Sequence, residues 1–254
     1  MRYAFAGDRD ISVKVLTFLI EKGHAPLALL LSGQNRSSHT QELSQLSNLG
    51  QKMILEGMSF NNESSIALLE SLELDYIIGI HFPYIIPQRI LKIPSVGFIN
   101  LHPAYLPYNR GWHTPSWAIM EGTKYGATLH FMDSRLDEGD IINQKECLIL
   151  PLDTANSLYQ RVKKVELEVF QESLSDLVSL NPPRKKQLGE VTAHSKADLD
   201  SIQQINLQEN FNAADLINKI RALTTNDLKE SSFFIFNNKK YFLRIDIIED
   251  YNDK

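Results

Sequence analysis

Short apolar runs alternate with stretches of helical periodicity over the first 180 residues of the chain. The runs predict buried strands at 2–6, 25–32, 76–80, 96–101, 125–131 and 141–150. Apolar residues that recur every three or four positions predict helices at 11–22, from Asn61 or Asn62 to Leu72, from Thr114 onward and at 156–180. Strands that alternate with helices favour an α/β fold with a doubly wound, mostly parallel sheet.

The remainder of the chain has a different pattern. Residues 181–186 read Asn-Pro-Pro-Arg-Lys-Lys and end the long helix, because proline interrupts helical hydrogen bonding. We predict a domain boundary there, between a large domain at 1–182 and a small C-terminal α+β region at 183–254. Apolar spacing in the small region predicts a helix at 213–222. A β-hairpin is predicted from strands at 233–236 and 240–248, joined by polar residues 237–239.

Composition places the chain among ordinary globular proteins. It has 254 residues, 43% of them apolar, and its 26 basic and 31 acidic side chains leave a net charge of −5. A mildly acidic chain lacks the positive field of nucleic-acid binders, so no nucleic-acid partner is expected. No run approaches the ~18 apolar residues of a membrane span, and the N-terminal apolar run is too short for a signal peptide. We therefore expect a cytoplasmic protein with no membrane partner.

Two polar residues lie at the end of the strand predicted at 96–101. Asn100 and His102 are two positions apart, and side chains two apart on a strand share a face. An amide that donates hydrogen bonds is therefore expected beside an imidazole that exchanges protons near neutral pH. A turn residue and a buried structural histidine are the alternative interpretation of this pair.

A loop rich in carboxylates joins the strands predicted at 125–131 and 141–150. It holds Asp133, Asp137, Glu138 and Asp140. By itself the loop is typical of a solvated turn or of a weak cation site. No metal-ligand spacing such as His-Glu-x-x-His or an EF-hand repeat accompanies it, so no metal is expected. His130, inside the preceding apolar run, is interpreted as a packed residue.

Together these two stretches resemble the formyltransferases that use 10-formyltetrahydrofolate. That family includes glycinamide ribonucleotide, methionyl-tRNA and sugar-nucleotide formyltransferases. The residues that carry the resemblance are Asn100, Leu101, His102, Pro103, Leu106, Pro107, Leu136, Asp137, Gly139 and Asp140. The resemblance covers about residues 1–180. It implies the Rossmann-like formyltransferase fold, catalytic roles for Asn100, His102 and Asp137, and N10-formyltetrahydrofolate as co-substrate with no metal.

The resemblance also implies a mechanism that suits these side chains. A primary amine attacks the formyl carbon, and negative charge develops on the former carbonyl oxygen. Asn100 and a protonated His102 are expected to donate hydrogen bonds to that oxygen, or a neutral His102 to take the proton that the amine loses. Asp137 is expected to orient the imidazole, to hold a bridging water and to raise the basicity of the histidine.

A second loop, at 79–87, follows the strand predicted at 76–80 and lines the pterin pocket in the family. By this resemblance the cofactor-binding residues are Phe82, Tyr84, Ile85 and Ile86, together with Leu136, Glu138, Gly139 and Asp140 of the opposite wall. Plain core packing is the alternative interpretation of Phe82 and Tyr84, because aromatic residues are commonly buried.

Residues 108–117 combine a cation, two indoles, an imidazole and a helix start, a surface suited to a sugar or phosphate. The predicted substrate-binding residues are Tyr105, Arg110, Gly111, Trp112 and His113. The run resembles most the sugar N-formyltransferases. That resemblance implies a nucleotide-linked amino sugar as acceptor and a role in surface polysaccharide biosynthesis.

The C-terminal tail also favours the sugar branch. From 190 to 254 there are eight basic and eleven acidic side chains, a net charge of −3, whereas a tRNA-binding tail is expected to be positive. Two alternatives stay open. The enzyme acts on another small amine, such as glycinamide ribonucleotide or a carrier-bound amino acid, or the chain is a non-catalytic folate-binding module.

The predicted hairpin carries aromatic or apolar side chains on both faces. These residues are Phe233, Phe234, Phe236, Tyr241, Phe242 and Leu243. A lone hairpin is only marginally stable in water, so its second face needs a cover. A two-fold homodimer provides one, because the same patch then pairs with itself. The competing interpretation is that the helix at 213–222 covers this face within one chain.

Overall fold

The alternating pattern of the sequence corresponds to strands and helices that follow one another along the chain. A computed structural model describes residues 1–33 and 38–250. The strands are Tyr3–Gly7 (β1), Ala28–Leu31 (β2), Ile54–Glu56 (β3), Tyr76–Ile80 (β4), Gly97–His102 (β5), Arg110–Gly111 (β6), Gly126–Phe131 (β7), Ile141–Glu146 (β8), Ala193–His194 (β9), Ser232–Phe236 (β10) and Lys239–Leu243 (β11). The helices are Arg9–Glu21 (α1), Thr40–Ser47 (α2), Glu63–Ser71 (α3), Gln88–Leu91 (α4), Thr114–Glu121 (α5), Ala155–Val178 (α6), Lys196–Ile202 (α7) and Ala213–Ala222 (α8). Short 3-10 helices lie at Gln51–Met53, Gly57–Asn61 and Leu228–Glu230.

Within the described residues, seven strands form a central sheet in the order β3-β2-β1-β4-β5-β7-β8. Neighbours from β3 to β5 run parallel, whereas β7 runs antiparallel to β5. The chain builds outward from β1 on one side and then on the other, which is the doubly wound arrangement. Every residue of β1, β2 and β4 is buried, as in strands that are covered on both faces. The predicted α/β fold with a mostly parallel sheet is confirmed.

Several element boundaries differ from the prediction. β8 ends at Glu146 rather than at residue 150, and β11 ends at Leu243 rather than at residue 248. The strand predicted at 25–32 is confined to Ala28–Leu31. The sequence pattern did not predict α2, α4, α7, β3, β6 or β9. These elements have two to eight residues and bury few apolar side chains, so periodicity is too weak to detect them.

Local chemistry explains the turns that were predicted correctly. α5 begins at Thr114 with a proline in its first turn, where the missing N–H costs no helical hydrogen bond. The hairpin of β10 and β11 turns at Asn237 and Asn238, which have φ values of 48° and 61°. Asparagine adopts this left-handed conformation more readily than other residues with a Cβ atom, and two-residue hairpin turns require it.

The chain divides into two compact units. The first comprises Met1–His102, Thr128–Lys145 and Glu166–Leu188, and the second comprises Pro103–Ala127, Glu146–Val165 and Gly189–Lys254. The units interleave along the chain, whereas the predicted domains at 1–182 and 183–254 are consecutive. The predicted division stays a prediction, and its residues 251–254 lie outside the described part.

Each unit has its own packing. In the first, apolar residues of β1, β2 and β4 meet residues of α3, α4 and β5 in one buried cluster that includes Phe60, Leu69 and Phe98. In the second, α8 packs mainly against α5, and β10 pairs with β11. Over the described residues, no helix combines the length and the apolar character that crossing a membrane would require.

Candidate active site

Strand β5 carries Asn100 and His102 at its carboxyl end. Asn100 lies opposite Gly79 of β4 on one side and opposite His130 of β7 on the other. Directly opposed residues share a face of a sheet, as do residues two apart, so Asn100, His102 and His130 lie on one face. A Cβ atom at Gly79 would come within 3.0 Å of the Phe98 ring and 3.4 Å of Asn100 Oδ1. The glycine therefore leaves room for the Asn100 side chain.

His102 and Asp137 face each other in the interior of the first unit. The Nε2 atom of His102 is 3.5 Å from Oδ2 of Asp137, and both side chains are less than one-tenth exposed. Burial reduces the screening of charge by water, so the electrostatic interaction between the carboxylate and the imidazole is stronger than it would be at the surface. The structure thus places two of the three predicted catalytic residues next to each other.

His130 connects Asn100 to Asp137. Its Nδ1 atom is 2.8 Å from the carbonyl oxygen of Phe131, and because a carbonyl only accepts, Nδ1 carries the proton. Burial lowers the pKa of His130 to about 4, although Asp137 opposes the shift, so the ring is neutral at pH 7. Its bare Nε2 accepts a hydrogen bond from Asn100 Nδ2 at 3.4 Å and lies 3.7 Å from Oδ1 of Asp137. His130 therefore orients the amide of Asn100.

The sequence predicted a packed position for His130 but not its contacts with Asn100 and Asp137. A signal was present, because Thr128 and His130 are polar, two positions apart, in an otherwise mainly apolar run. Side chains two apart on a strand share a face. A polar face on a buried strand indicates polar neighbours on the adjacent strand, and those neighbours are Asn100 and His102.

The loop that carries Asp137 is constrained at several positions. Asp137 has a φ of 53°, a left-handed conformation that residues with a Cβ atom adopt only at an energetic cost. A Cβ atom at Gly139 would lie 1.8 Å from the carbonyl oxygen of Phe131, so only glycine fits there. The N–H of Phe131 donates to the carbonyl of Asp140 at 2.9 Å and closes the base of the loop. These constraints fix the backbone from which the Asp137 carboxylate reaches His102.

The other predicted folate-binding residues of this loop lie around Asp137. Leu136 is exposed. Glu138 pairs with Arg135, with 2.7 Å between Oε2 and Nη1, and Asp140 pairs with Lys186, with 2.8 Å between Oδ1 and Nζ. Each of these two carboxylates is therefore held by a basic residue of the same unit. Their contact with folate stays a prediction.

The predicted folate-binding residues after β4 divide into packed and exposed ones. Phe82 and Tyr84 pack against Phe60, with ring centres 5.5 and 5.8 Å away, and Ile86 is buried. Ile85, by contrast, is 89% exposed. The two aromatic rings shape the loop through these contacts, while Ile85 offers apolar surface to a flat ligand. Folate binding by the four residues stays a prediction.

A buried hydrogen-bonded pair of side chains directly follows β4, and it was not predicted from the sequence. Nε2 of His81 is 2.7 Å from Oε1 of Glu166 in α6, and both side chains are at least nine-tenths buried. Both residues belong to the first unit. No local pattern signals this pair, because 85 positions separate its members along the chain.

The predicted acceptor-binding residues lie in the second unit. Arg110–Gly111 forms β6 and pairs with Ala193–His194, which forms β9. The N–H of Trp112 continues this pairing by donating to the carbonyl of His194 at 3.0 Å. The Trp112 ring is about half exposed, and Nζ of Lys196 is 5.8 Å from its centre. An exposed indole beside an ammonium group suits a ligand that combines a flat ring with negative charge.

The remaining two acceptor predictions also have partners within the second unit. Nδ1 of His113 is 3.7 Å from Oε1 of Glu230, and burial lowers the pKa of His113 although Glu230 opposes the shift. Nζ of Lys124 is 5.6 Å from the centre of the Tyr105 ring. Acceptor binding by these residues stays a prediction.

The cluster formed by Asn100, His130, Asp137 and His102 has a defined chemical capacity. An oriented amide can donate to a developing anion, and an imidazole beside a carboxylate can take or give a proton. Over the ranges 1–33 and 38–250, no group of three or more His, Cys, Asp or Glu side chains is arranged to hold a metal ion. The chemistry available from these side chains is anion stabilisation and proton transfer.

Two family models match the sequence. The model described as "Formyl transferase" matches residues 14–174, which include every residue of the cluster. The model described as "N-formyltransferase dimerization C-terminal domain" matches residues 198–249, which include the hairpin.

Individual relatives point the same way. The dTDP-4-amino-4,6-dideoxyglucose formyltransferase of Mycobacterium bovis is 31% identical over 171 residues, which cover 67% of this chain and 72% of that enzyme. A sugar N-formyltransferase from Shewanella sp FDAARGOS_354 superposes with a TM-score of 0.84 over 98% of this chain and 99% of that one, at 22% identity. The formyltransferase PseJ of Anoxybacillus kamchatkensis, solved with UDP-4,6-dideoxy-4-formamido-L-AltNAc and tetrahydrofolate, has a TM-score of 0.58 over 87% of this chain and 99% of that one, at 22% identity.

Proposed function

Because the chain belongs to the formyl transferase family, we propose that it transfers a formyl group from N10-formyltetrahydrofolate to the primary amine of a nucleotide-linked amino sugar. The observation that carries this proposal is the buried cluster in which His130 links Asn100 to Asp137 and Asp137 faces His102. Formyl transfer to an amine needs a donor for an oxyanion and an acceptor for a proton, and the cluster supplies both.

We assign each residue of the cluster a separate task. Asn100, whose amide is oriented by neutral His130, donates a hydrogen bond to the formyl oxygen as negative charge develops on it. His102 takes the proton that the attacking amine loses and returns it to N10 of the folate as the bond between N10 and the formyl carbon breaks, which releases tetrahydrofolate. Asp137, 3.5 Å away, stabilises the imidazolium that results and holds the ring in place. A preorganised donor of this kind is worth about 3 kcal/mol of barrier, or roughly a hundredfold in rate.

The surroundings of the cluster fit a folate co-substrate. The pteridine ring is flat, and the two predicted pocket loops present exposed Ile85 and Leu136. Both loops belong to the first unit, as does the cluster. We therefore assign folate binding to the predicted residues of these loops. Bound there, the co-substrate supplies the activated formyl group.

For the acceptor, we propose the nucleotide-linked amino sugar on the basis of the Mycobacterium bovis relative and the surface around Trp112. The relative is named as acting on such a sugar. In this chain an exposed indole lies beside Lys196, and Arg110, which is buried, lies two positions before Trp112 in the sequence. An aromatic ring stacks on a base or sugar, and a cation attracts a diphosphate. The role in surface polysaccharide biosynthesis follows from this acceptor.

We also propose that the chain forms a homodimer through its C-terminal region and works in the cytoplasm. The dimerization-domain match over 198–249 supports the dimer, and so do exposed apolar side chains on the hairpin. The cytoplasmic location is the one already expected from the sequence.

A panel of acceptors tests the function. The purified protein is incubated with 10-formyltetrahydrofolate and with dTDP-, UDP- and GDP-linked amino sugars, glycinamide ribonucleotide and a carrier-bound amino acid, and products are identified by mass spectrometry. We expect one or more sugar nucleotides to gain one formyl group, and a His102→Ala protein to give none. If only another amine gains a formyl group, that amine replaces the amino sugar as the proposed acceptor. Folate binding without turnover of any amine would support the non-catalytic module instead.

A further inference from the structure

The segment that follows α6 reaches back to the loop that carries Asp137. We call residues 184–187 the latch segment. At its start, the guanidinium carbon of Arg184 lies 3.5 Å from the centre of the Phe131 ring, and Nη2 donates to the carbonyl of Val96 at 2.7 Å. Lys185 then exchanges two backbone hydrogen bonds with Ile141, at 2.7 and 2.9 Å. The segment is thus anchored to both ends of the loop, at the end of β7 and at the start of β8.

The second half of the latch segment contacts the loop itself. The ammonium of Lys186 pairs with Asp140. Nε2 of Gln187 donates to the carbonyl of Asp137 at 2.8 Å and to the carbonyl of Gly139 at 2.9 Å. An amide nitrogen has two hydrogens, so both serve these two carbonyls. The reverse orientation of the amide would place its oxygen against two carbonyl oxygens and is repulsive.

We propose that Gln187 is a positioning residue for formyl transfer, which holds Asp137 in its left-handed conformation and so keeps the carboxylate beside His102. The inference rests on the proposed function, because it assigns Asp137 a part in the reaction. It also gives the segment near residue 182, which the sequence analysis interpreted as a domain boundary, a direct contact with the candidate active site.

The backbone of Asp137 adopts a left-handed conformation. Its φ of 53° is unfavourable for a residue with a Cβ atom and persists only where surrounding contacts impose it. Gln187 supplies two contacts to this part of the loop, one to the carbonyl of Asp137 and one to the carbonyl of Gly139. Without them the two carbonyls lose a partner, and the loop is free to relax towards ordinary backbone angles. A displacement of about 1 Å of a reacting group can reduce the rate about 100-fold.

The test compares Gln187→Leu with Gln187→Glu and with a matched control. Leucine removes the donor, and glutamate keeps the size but turns an oxygen toward both carbonyls. Gln171→Leu makes the same change at an exposed position of α6 in the same unit. Urea unfolding identifies the variants that fold, and Gln187→Glu carries the test if Gln187→Leu does not fold. In the folded variants we expect kcat for formyl transfer to fall about tenfold or more, and Gln171→Leu to keep kcat.

A double-mutant cycle separates positioning from a general structural role. The same Gln187 variants are made in an Asp137→Asn protein and measured under single-turnover conditions with excess enzyme. If Gln187 acts through the Asp137 carboxylate, replacing Gln187 in the Asp137→Asn protein should change the single-turnover rate by less than a further twofold. An equal loss in both backgrounds, or an unchanged kcat in a folded Gln187 variant, would overturn the proposal.

Hydrogen exchange of the ligand-free protein provides a readout that does not depend on turnover. We expect peptides covering residues 132–140 to exchange faster in the Gln187 variants than in the wild type and in Gln171→Leu. If hydrogen exchange in this loop were unchanged, the proposal that Gln187 restrains the loop would be wrong. If the wild-type protein formylates no amine, the proposed function fails, while the exchange comparison still decides whether Gln187 restrains the loop.

Discussion

Single residues in the candidate active site have protonation states that follow from burial and from their hydrogen-bond partners. His130 is neutral at pH 7 because its ring is buried and its Nδ1 proton is held by the carbonyl of Phe131. That neutral ring fixes the amide of Asn100, whereas His102 faces the Asp137 carboxylate at 3.5 Å. Two histidines of one cluster are therefore suited to different tasks.

The task of His102 is tested by replacement with alanine. We expect kcat for formyl transfer to fall about 100-fold or more, because general acid–base catalysis contributes that much in enzymes. Binding of the folate co-substrate should change only a few fold, since the predicted folate loops are untouched. Steady-state kinetics and fluorescence titration measure the two quantities, and His24→Ala serves as the control. Near-normal kcat in the His102 variant would remove His102 from the mechanism.

The low pKa of His130 predicts a pH dependence of stability. The ordinary pKa is 6.5, so between pH 6.5 and about 4 the unfolded chain binds a proton that the folded protein does not. The free energy of unfolding should therefore fall as the pH falls through this range, by about 3 kcal/mol in total from this residue. The stabilisation is fully present above pH 6.5.

Urea unfolding of the wild type and of His130→Gln at pH 7 and pH 4.5 measures this dependence. We expect the variant to lose less stability between the two pH values than the wild type does. His24→Gln, which changes a histidine outside the cluster, should behave as the wild type. If the free energy of unfolding changed with pH by the same amount in the wild type and in His130→Gln, the low pKa of His130 would not be its cause.

At the scale of elements, the turn after β4 is joined to α6 by the buried pair of His81 and Glu166. One oxygen of Glu166 contacts His81 at 2.7 Å, and the other has no hydrogen-bond partner among the described residues. A buried carboxylate whose partner is removed is strongly destabilising, because nothing then replaces its lost hydration. The pair therefore holds the predicted folate loop at 79–87 to the long helix.

Replacing His81 by leucine should lower the free energy of unfolding by about 3–5 kcal/mol, since it removes the hydrogen-bond partner of a buried carboxyl group. The double replacement His81→Leu and Glu166→Leu should recover most of that loss, because an apolar pair of similar volume carries no desolvation cost. Urea denaturation of the two proteins and the wild type measures both effects. A single variant as stable as the wild type, or a double variant no better than the single, would refute this account.

For the whole molecule, the hairpin raises the question of what covers its apolar side chains. Phe234 and Tyr241 stack on one face with ring centres 5.3 Å apart, and Phe236 follows on the same face. Phe236 is 55% and Tyr241 42% exposed. α8, which the sequence analysis considered as an alternative cover, packs mainly against α5. An exposed aromatic patch of this kind favours burial against a second copy of the chain.

Light scattering at micromolar concentration tests the homodimer. We expect the full chain to have twice the mass of its 29.0 kDa monomer. Phe236→Asp combined with Tyr241→Asp should give monomers, because two charges would be buried in a self-complementary contact. Met58→Asp changes an equally exposed apolar residue in the first unit and should leave the dimer intact. A monomeric wild-type chain would exclude the dimer.

Much of the fold and part of the site could be predicted from the sequence, because the relevant signals are local. Buried strands appear as apolar runs, and Asn100 and His102 share a face simply because they are two positions apart on one strand. Asn237 and Asn238 indicate the hairpin turn through their own conformational preference. The motif residues of the formyl transferase family extend this local information to Asp137.

Other features were decided only by the tertiary structure, because they join residues that no local pattern connects. Asn100 and His130 are 30 positions apart, Asp137 and Gln187 are 50, and His81 and Glu166 are 85. These pairs meet because the crossovers set the order of strands in the sheet and the path of the chain after α6. The left-handed backbone of Asp137 arises in the same way, since packing around Gly139 and hydrogen bonds from Gln187 outweigh the preference of aspartate for ordinary angles.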